Sequence, residues 1–215
     1  MGVHAIGDKA IDLTVDSFAA AAADNPIKGL RHSIIHANIP TDHAIDQMVE
    51  LQRDFDMAYP EVQPGFIWWI GDGYAGNFGP ERSARLNPLK TYLKRGVQWA
   101  ASTDYDVTPF AARYGLWSSV VRETQFKTYG DHPYGDEESI DIATALRSYT
   151  LWSAHQLFME DKIGSLEVGK YADIVVWDRD LLKVPTDELK ALQSELTLVA
   201  GKVVYYNVES GLAFK

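Results

Sequence analysis

Three side chains of the metal-binding type each stand at the end of a short apolar run: His4, His36 and Asp104. Imidazole nitrogens and carboxylate oxygens bind zinc and similar divalent ions at roughly 2.0–2.2 Å. Three such ligands leave a coordination position open for water, and the ion lowers the pKa of that water toward about 7. The pattern therefore predicts a metal site that can supply hydroxide at neutral pH.

Each of these residues also has an ordinary structural explanation. A single histidine at a strand end is more often structural than a ligand, and Asp104 after Ser102-Thr103 can cap a turn. Their occurrence at three separate strand ends is what favours a metal site. Because the chain has no cysteine, disulfides, iron–sulfur clusters and thiolate zinc sites are excluded.

Alternating strands and helices are predicted to position these residues. Apolar residues at helical spacing over 11–22 predict a helix after the strand that contains His4, and Thr41 is predicted to cap the next helix. A third strand ends at Gln63, and residues 97–101 are predicted to form a fourth. Such alternation predicts a parallel α/β sheet, whose sites lie at the carboxyl ends of its strands.

Residues 65–87 are rich in glycine and aromatic side chains, which predicts a long loop. Long loops in compact domains are usually functional or disordered, and the aromatic content favours function. Trp68, Trp69 and Tyr74 are therefore candidates for substrate contact, while ordinary packing explains the two tryptophans equally well.

Other polar residues have mainly structural interpretations. Asp8 is predicted to be a helix N-cap, with a hydrogen bond that orients His4 as the alternative. Arg82 is predicted to form a structural ion pair. His155 is predicted to be solvated.

The end of the chain follows a different pattern. Residues 140–158 predict one long helix, residues 172–177 a strand, and residues 196–206 a hairpin that turns at Ala200-Gly201. This part of the chain is predicted to belong to a small β-domain.

Composition excludes several functions. The chain has 215 residues, of which 46% are hydrophobic, so it can bury a core. Its net charge of −10 argues against binding to nucleic acid or to an anionic membrane. No apolar run reaches the roughly 18 residues of a membrane span, and no secretory leader is recognisable. We expect a soluble protein; the cytoplasm is favoured, but the compartment stays open.

Several segments, in the same order, resemble the amidohydrolase superfamily, within the subfamily that contains N-substituted formamide deformylase. These segments are residues 4–10, 31–38, 63–64, 102–104 and 163–176. The resemblance covers nearly the whole chain. Some relatives in this subfamily carry the label exoenzyme regulatory protein.

The resemblance implies a role for each matching residue. His4 and His36 take the places of the metal ligands on the fifth and sixth barrel strands, and Gln63 lies in the Gln-Pro pair of the seventh. Asp104 takes the place of the eighth-strand aspartate, which binds metal and shuttles the proton. Gln63 is also a candidate for substrate binding. Relatives usually have Glu where this sequence has Ile35, which alters the support of His36.

The same resemblance implies a fold and a reaction. Residues 1–160 would form strands 5–8 of a (β/α)8 barrel, and residues 161–215 a β-sandwich segment. The expected reaction is hydrolysis of a C–N bond in a small amide, formamide or cyclic amide, with a divalent metal, zinc first among the candidates. The first-strand His-x-His pair and the fourth-strand bridging ligand have no counterpart, so the isolated chain is expected to be inactive.

Two further expectations follow. A half-barrel leaves two open sheet edges, so we expect the missing N-terminal half or a second copy of the chain to cover them. The alternative to an enzyme is a non-catalytic ligand-binding or regulatory module on the same scaffold.

Overall fold

The computed structural model describes residues 1–209 and 211. A four-stranded parallel sheet, ordered β1-β2-β3-β4, is built from Gly2–Ala5, Ser33–His36, Tyr59–Val62 and Ala100–Ala101. The α-helices are α1 Asp8–Asp24, α2 Asp42–Phe55, α3 Gly65–Trp69, α4 Gly71–Ser83, α5 Leu89–Arg95, α6 Ala112–Val121, α7 Ile142–Tyr149 and α8 Leu151–Gln156. The predicted α/β class with a parallel sheet is confirmed.

Helix α1 shows why the alternating pattern folds this way. Its apolar stripe, Ile11, Val15, Phe18 and Ala22, is buried and packs in one core with the sheet residue Ile34. Burial of such a stripe against a sheet contributes roughly 25 cal/mol for each Å² of apolar surface removed from water. The predicted helix and its inward face are confirmed.

Thr41 caps helix α2 as predicted, since its hydroxyl accepts a hydrogen bond from the backbone N–H of Ala44 at 3.0 Å. We expect Thr41→Ala to lower the free energy of unfolding by about 1 kcal/mol, because that N–H loses its partner and the hydroxyl no longer donates to Asp12 on α1. Urea unfolding followed by circular dichroism measures this change. Ser17→Ala is the control, because the Ser17 hydroxyl bonds to Leu13 O within α1 and caps no helix; an equal loss in both variants would contradict the capping role.

The prediction of a loop over residues 65–87 is wrong, because most of this segment forms helices α3 and α4. Its glycines suggested flexibility, but two of them allow close packing instead. A Cβ on Gly71 would lie 3.0 Å from the Tyr134 ring, and one on Gly76 would collide with the Tyr129 hydroxyl. The glycine content therefore reflects helix contacts with tyrosines that are distant in sequence.

Two other element predictions need correction. The predicted strand over residues 97–101 has only two strand residues, because the Val97 N–H bonds to Tyr92 O and the Gln98 N–H bonds to the side chain of Gln52. The predicted helix over residues 140–158 divides at Thr150, whose hydroxyl bonds back to Leu146 O and whose backbone leaves the helical region.

The last part of the chain forms a separate antiparallel sheet. Its strands are β5 Ile174–Trp177, β6 Ser194–Val199 and β7 Lys202–Tyr206, in that order. The predicted hairpin is confirmed: Ala200 and Gly201 both have positive φ, 49° and 77°, as a tight hairpin turn requires. Leu189 and Leu192, between β5 and β6, are buried in the core of the parallel unit. The predicted domain division at residue 160 stays a prediction.

Among residues 1–209 and 211, none of the helices combines the length and apolar character needed to cross a lipid bilayer.

Candidate functional site

The parallel sheet brings four of the predicted residues to one edge. His4 and His36 lie at the carboxyl ends of β1 and β2, Gln63 follows β3 directly, and Asp104 follows β4. Parallel strands all end on the same side of the sheet, so these four positions share one side although they are far apart in sequence; side-chain contacts join His4, His36 and Gln63.

His4 and His36 are in direct contact. Nε2 of His36 lies 3.0 Å from Nδ1 of His4, and the two rings meet edge to face with centroids 4.5 Å apart. His36 is 5% exposed, whereas His4 is open to solvent. One lone pair and one proton must occupy the space between the two nitrogens, because two lone pairs alone would repel.

Gln63 holds His36 from the other side. Its Oε1 accepts a hydrogen bond from His36 Nδ1 at 2.8 Å, while its Nε2 donates to Glu61 O at 3.0 Å and to Ser102 Oγ at 2.9 Å. The residue is 1% exposed. Both of its N–H groups are therefore used inside the chain, so a substrate contact would need the second lone pair of Oε1.

Glu61 is a member of this site that sequence reasoning missed. The strand register places it in the same row as His4 and Ile35, on one face of the sheet. Burial raises the pKa of its carboxyl, the charge of His36 opposes that rise, and the charge of Asp104 adds to it. Its signal in the sequence is a carboxylate two positions before Gln63 inside an otherwise apolar strand.

A row of aromatic rings leads from α4 to His36. Phe66 stacks on His36 at 5.8 Å, Tyr74 on Phe66 at 6.4 Å, and Phe78 on Tyr74 at 5.3 Å between centroids. Of these, sequence reasoning identified only Tyr74. Its hydroxyl accepts a hydrogen bond from Asn38 at 3.4 Å, and burial raises its pKa.

The two predicted tryptophans differ in position. Trp68 stacks on Tyr114 at 4.8 Å and meets Trp117 edge to face at 6.1 Å, so its ring belongs largely to the packing between α3 and α6. Trp69 is 39% exposed. Trp69 is thus the member of the pair with surface available to a ligand.

The profile of the amidohydrolase family matches residues 1–205 of this chain. The chain belongs to the amidohydrolase family. The resemblance inferred from the sequence motifs is confirmed.

Two curated relatives and a solved structure illustrate the similarity. The N-substituted formamide deformylase of Arthrobacter pascens is 27% identical over 95% of this amidohydrolase chain and 36% of its own length. Protein LONG AFTER FAR-RED 3 of Arabidopsis thaliana is 28% identical over 95% of this chain and 34% of its own. An uncharacterized metal-dependent hydrolase from Pyrococcus horikoshii OT3 superimposes with a TM-score of 0.70 at 29% identity, over 86% of this chain and 35% of that one. The chain thus spans about a third of the length of each.

The family and its metal-dependent neighbours imply a divalent ion, and the donor atoms of His4 and His36 suit one. Nε2 of His36 and Nδ1 of His4 lie 3.0 Å apart, and each nitrogen can bind such an ion when it is unprotonated. Asp104 is not gathered with them, and no three His, Asp or Glu side chains within the described ranges lie close enough to hold a metal. The imidazole pair fits two coordination positions, and the predicted third ligand is not assembled.

Asp8 and Arg82 form an ion pair at 2.9 Å, so the structural role predicted for Arg82 is confirmed. The prediction that Asp8 is the N-cap of α1 is wrong: the N-cap is Gly7, and Asp8 is the first helical residue, where a carboxylate favours the helix dipole. No hydrogen bond joins Asp8 to His4 in the part of the chain that the structure describes, and its predicted role beside His4 stays a prediction.

Proposed function

We propose that this chain carries part of the active site of a hydrolase that cleaves C–N bonds in small amides, formamides or cyclic amides. The observation that supports this most is the contact between His4 and His36 at the carboxyl edge of a parallel sheet in an amidohydrolase chain. The relative from Arthrobacter pascens is an N-substituted formamide deformylase, which supports the choice of bond.

In this proposal His4 and His36 hold a divalent ion, zinc first among the candidates, through Nδ1 and Nε2. The ion, when bound, supplies a Lewis acid that lowers the pKa of water toward about 7. Asp104 then accepts the proton from the attacking water and passes it to the leaving nitrogen, which must be protonated for the C–N bond to break. His36, held by Gln63, keeps its orientation throughout.

In this proposal aromatic side chains at the site recognise the shape of the substrate. Tyr74 and Phe66 stack beside the imidazole, and Trp69 contributes exposed ring surface from α3, the helix that also carries Phe66. Such surfaces suit a flat acyl or aryl group, with polar groups at the sheet edge fixing its carbonyl. Gln63 remains a candidate contact through its carbonyl oxygen.

We also propose that the sheet acts within a larger assembly, as the half of a (β/α)8 barrel that carries strands 5–8. Strands β1 and β4 lie at the two edges of the parallel sheet, and His4 on β1 is exposed. The chain covers about a third of each relative's length, which leaves room for a longer protein to supply the rest. A second copy of the chain is the other candidate. In either case the isolated chain is expected to lack hydrolytic activity.

Metal content tests this function directly. The purified chain, equilibrated with zinc and analysed by elemental mass spectrometry, is expected to hold about one ion per chain, and His36→Ala is expected to lose it. His43→Ala is the matched control, because His43 is exposed and pairs with Asp16 on α1. Retention of zinc by His36→Ala, or no zinc in the unaltered chain, would contradict the proposal.

The alternative function is a non-catalytic ligand-binding or regulatory module. The observation that favours it is the separation of Asp104 from the imidazole pair within the described residues. Adding the missing part of a longer relative in trans distinguishes the two: hydrolysis of an N-substituted formamide that depends on Asp104 supports the enzyme. Ligand binding without turnover in the same mixture supports the module.

A further inference from the structure

The amide of Gln63 can occupy only one of its two orientations. Nε2 lies 3.0 Å from the backbone carbonyl oxygen of Glu61, which can only accept a hydrogen bond, so the nitrogen must be on that side. Ser102 Oγ, at 2.9 Å, takes the second N–H. The carbonyl oxygen Oε1 is therefore directed at His36.

This orientation decides which nitrogen of His36 carries the proton. Oε1 of Gln63 can only accept, so Nδ1 of His36, 2.8 Å away, must donate. In the neutral ring Nε2 is then unprotonated and presents its lone pair. Nε2 is the atom that faces Nδ1 of His4 at 3.0 Å, so the lone pair lies where His4 and His36 converge.

We infer that Gln63 is a positioning residue, whose amide holds His36 in the tautomer protonated at Nδ1 and aims its Nε2 lone pair at the position shared with His4. The inference rests on the proposed function, in which these two histidines hold the ion. A metal ligand must offer a lone pair, and a group that fixes the tautomer of a ligating histidine strengthens binding. Gln63 thereby connects β3, β2 and β4 in one chain of hydrogen bonds.

Nuclear magnetic resonance of the metal-free chain tests the tautomer without any activity assay. Two-bond proton–nitrogen correlations on ¹⁵N-histidine protein, recorded well above the ordinary His pKa of about 6.5, distinguish protonated from unprotonated ring nitrogens. The signals of His36 are identified by their loss in His36→Ala. We expect Nδ1 of His36 to be protonated and Nε2 to be bare. The opposite tautomer in the unaltered chain would overturn the inference, whatever the variants do.

Three variants separate positioning from packing. Gln63→Met keeps the volume but removes the acceptor, and is expected to give a mixture of tautomers and to weaken zinc binding about 10–100-fold. Gln63→Glu retains an acceptor oxygen and is expected to keep the Nδ1 proton. Ser102→Ala removes one partner of Nε2 but leaves Glu61 O, and is expected to leave the tautomer unchanged. An unchanged tautomer in Gln63→Met would overturn the inference.

The two proposals fail in different ways. If the tautomer responds to Gln63 but no variant and no unaltered protein binds zinc, the proposed function fails while the inference stands. If zinc binds through His36 and Gln63→Met leaves both tautomer and affinity unchanged, the inference fails while the proposed function stands.

Discussion

Arg122→Met is expected to lower the free energy of unfolding by about 3–5 kcal/mol, because several buried carbonyl oxygens lose the charged donor that they share. Arg122 is 0% exposed. Its guanidinium donates hydrogen bonds to the carbonyl oxygens of Leu86, Asn87, Tyr134 and Gly135, at 2.8–3.1 Å. Without the guanidinium the oxygens of Leu86, Tyr134 and Gly135 lose this donor, while Asn87 O keeps the N–H of Leu89 at 2.8 Å. Each buried oxygen left without a donor costs about 1–3 kcal/mol.

The charge of Arg122 persists at neutral pH despite its burial. Burial lowers its pKa to about 10, while acidic groups on residues 136–138 oppose that shift. A pKa near 10 still leaves the guanidinium protonated at pH 7. The four hydrogen bonds to it are therefore charge-assisted, which makes them stronger than bonds between neutral groups.

Thermal unfolding checks this prediction. For a chain of this size a loss of 3 kcal/mol lowers the midpoint by about 6 °C or more. Arg85→Met is the control, because Arg85 also donates to a carbonyl, Pro40 O, but lies 40% exposed beside Asp42; its loss is expected to cost less than about 1 kcal/mol. Equal midpoints for the two variants would show that Arg122 contributes no more than a surface arginine.

The sequence predicts those parts of the fold that depend on residues close together in the chain, and not those that depend on distant residues. The stripe of α1 repeats within one helix, and the hairpin turn at Ala200-Gly201 is set by two adjacent residues, so both could be predicted. The helices over residues 65–83 could not be predicted. Their glycines are needed because Tyr129 and Tyr134 pack against them, and this contact between distant segments cannot be read from the sequence.

The candidate site shows the same division. Strand ends and motif order suffice to select His4 and His36, and a parallel sheet then brings them together. The partner of His36 Nδ1 is Gln63, 27 residues away and directly after β3. A carboxylate inside an otherwise apolar strand marks Glu61 as unusual, but the sequence does not say which residues it lies beside. Its importance comes from the register of β3 beside β2, which is a property of the folded sheet.

The burial of Arg122 is a further feature that the sequence does not predict. The residue looks like any arginine after a helix, and its role depends on two segments, around residues 86 and 134, that converge on it in the folded chain.

The prediction that His155 is solvated is wrong, because it is only partly exposed and lies within 3.5 Å of both Asp56 and Glu160. Residue type predicts that a charged side chain is usually exposed, but tertiary packing decides which charged side chains are buried.

Arg31→Met is the second change expected to have a large effect, about 2–3 kcal/mol of unfolding free energy at pH 7. Arg31 joins α2 and β2 to the segment after α8: it pairs with Asp56 at 3.2 Å and with Glu160 at 2.7 Å, and donates to His155 O. Its guanidinium also lies 4.4 Å from the centre of the Phe158 ring. Removing it leaves two partly buried carboxylates without their shared cation, together with a lost cation–π contact.

The pH dependence of this loss identifies its origin. The hydrogen bond from Arg31 lowers the pKa of Glu160 from 4.5 to about 2, although burial opposes the shift. Burial also raises the pKa of Asp56, but hydrogen bonds from Tyr59 and Arg31 outweigh it and the net direction is downward. An acid whose folded pKa is depressed stabilises the fold fully above its unfolded pKa, and this contribution is lost as pH falls through the folded value.

The stability difference between the unaltered chain and Arg31→Met should therefore be constant above pH 4.5 and shrink as pH falls toward about 2. Urea unfolding at a series of pH values measures it, with Arg53→Met as control, because Arg53 forms an exposed pair with its neighbour Asp54 and no measurable change is expected. A difference that stays constant down to pH 2 would mean that Arg31 stabilises the fold by packing on Phe158 alone. A difference that fades would assign the effect to the ion pairs of Arg31 with Asp56 and Glu160, which join β2 to the segment after α8.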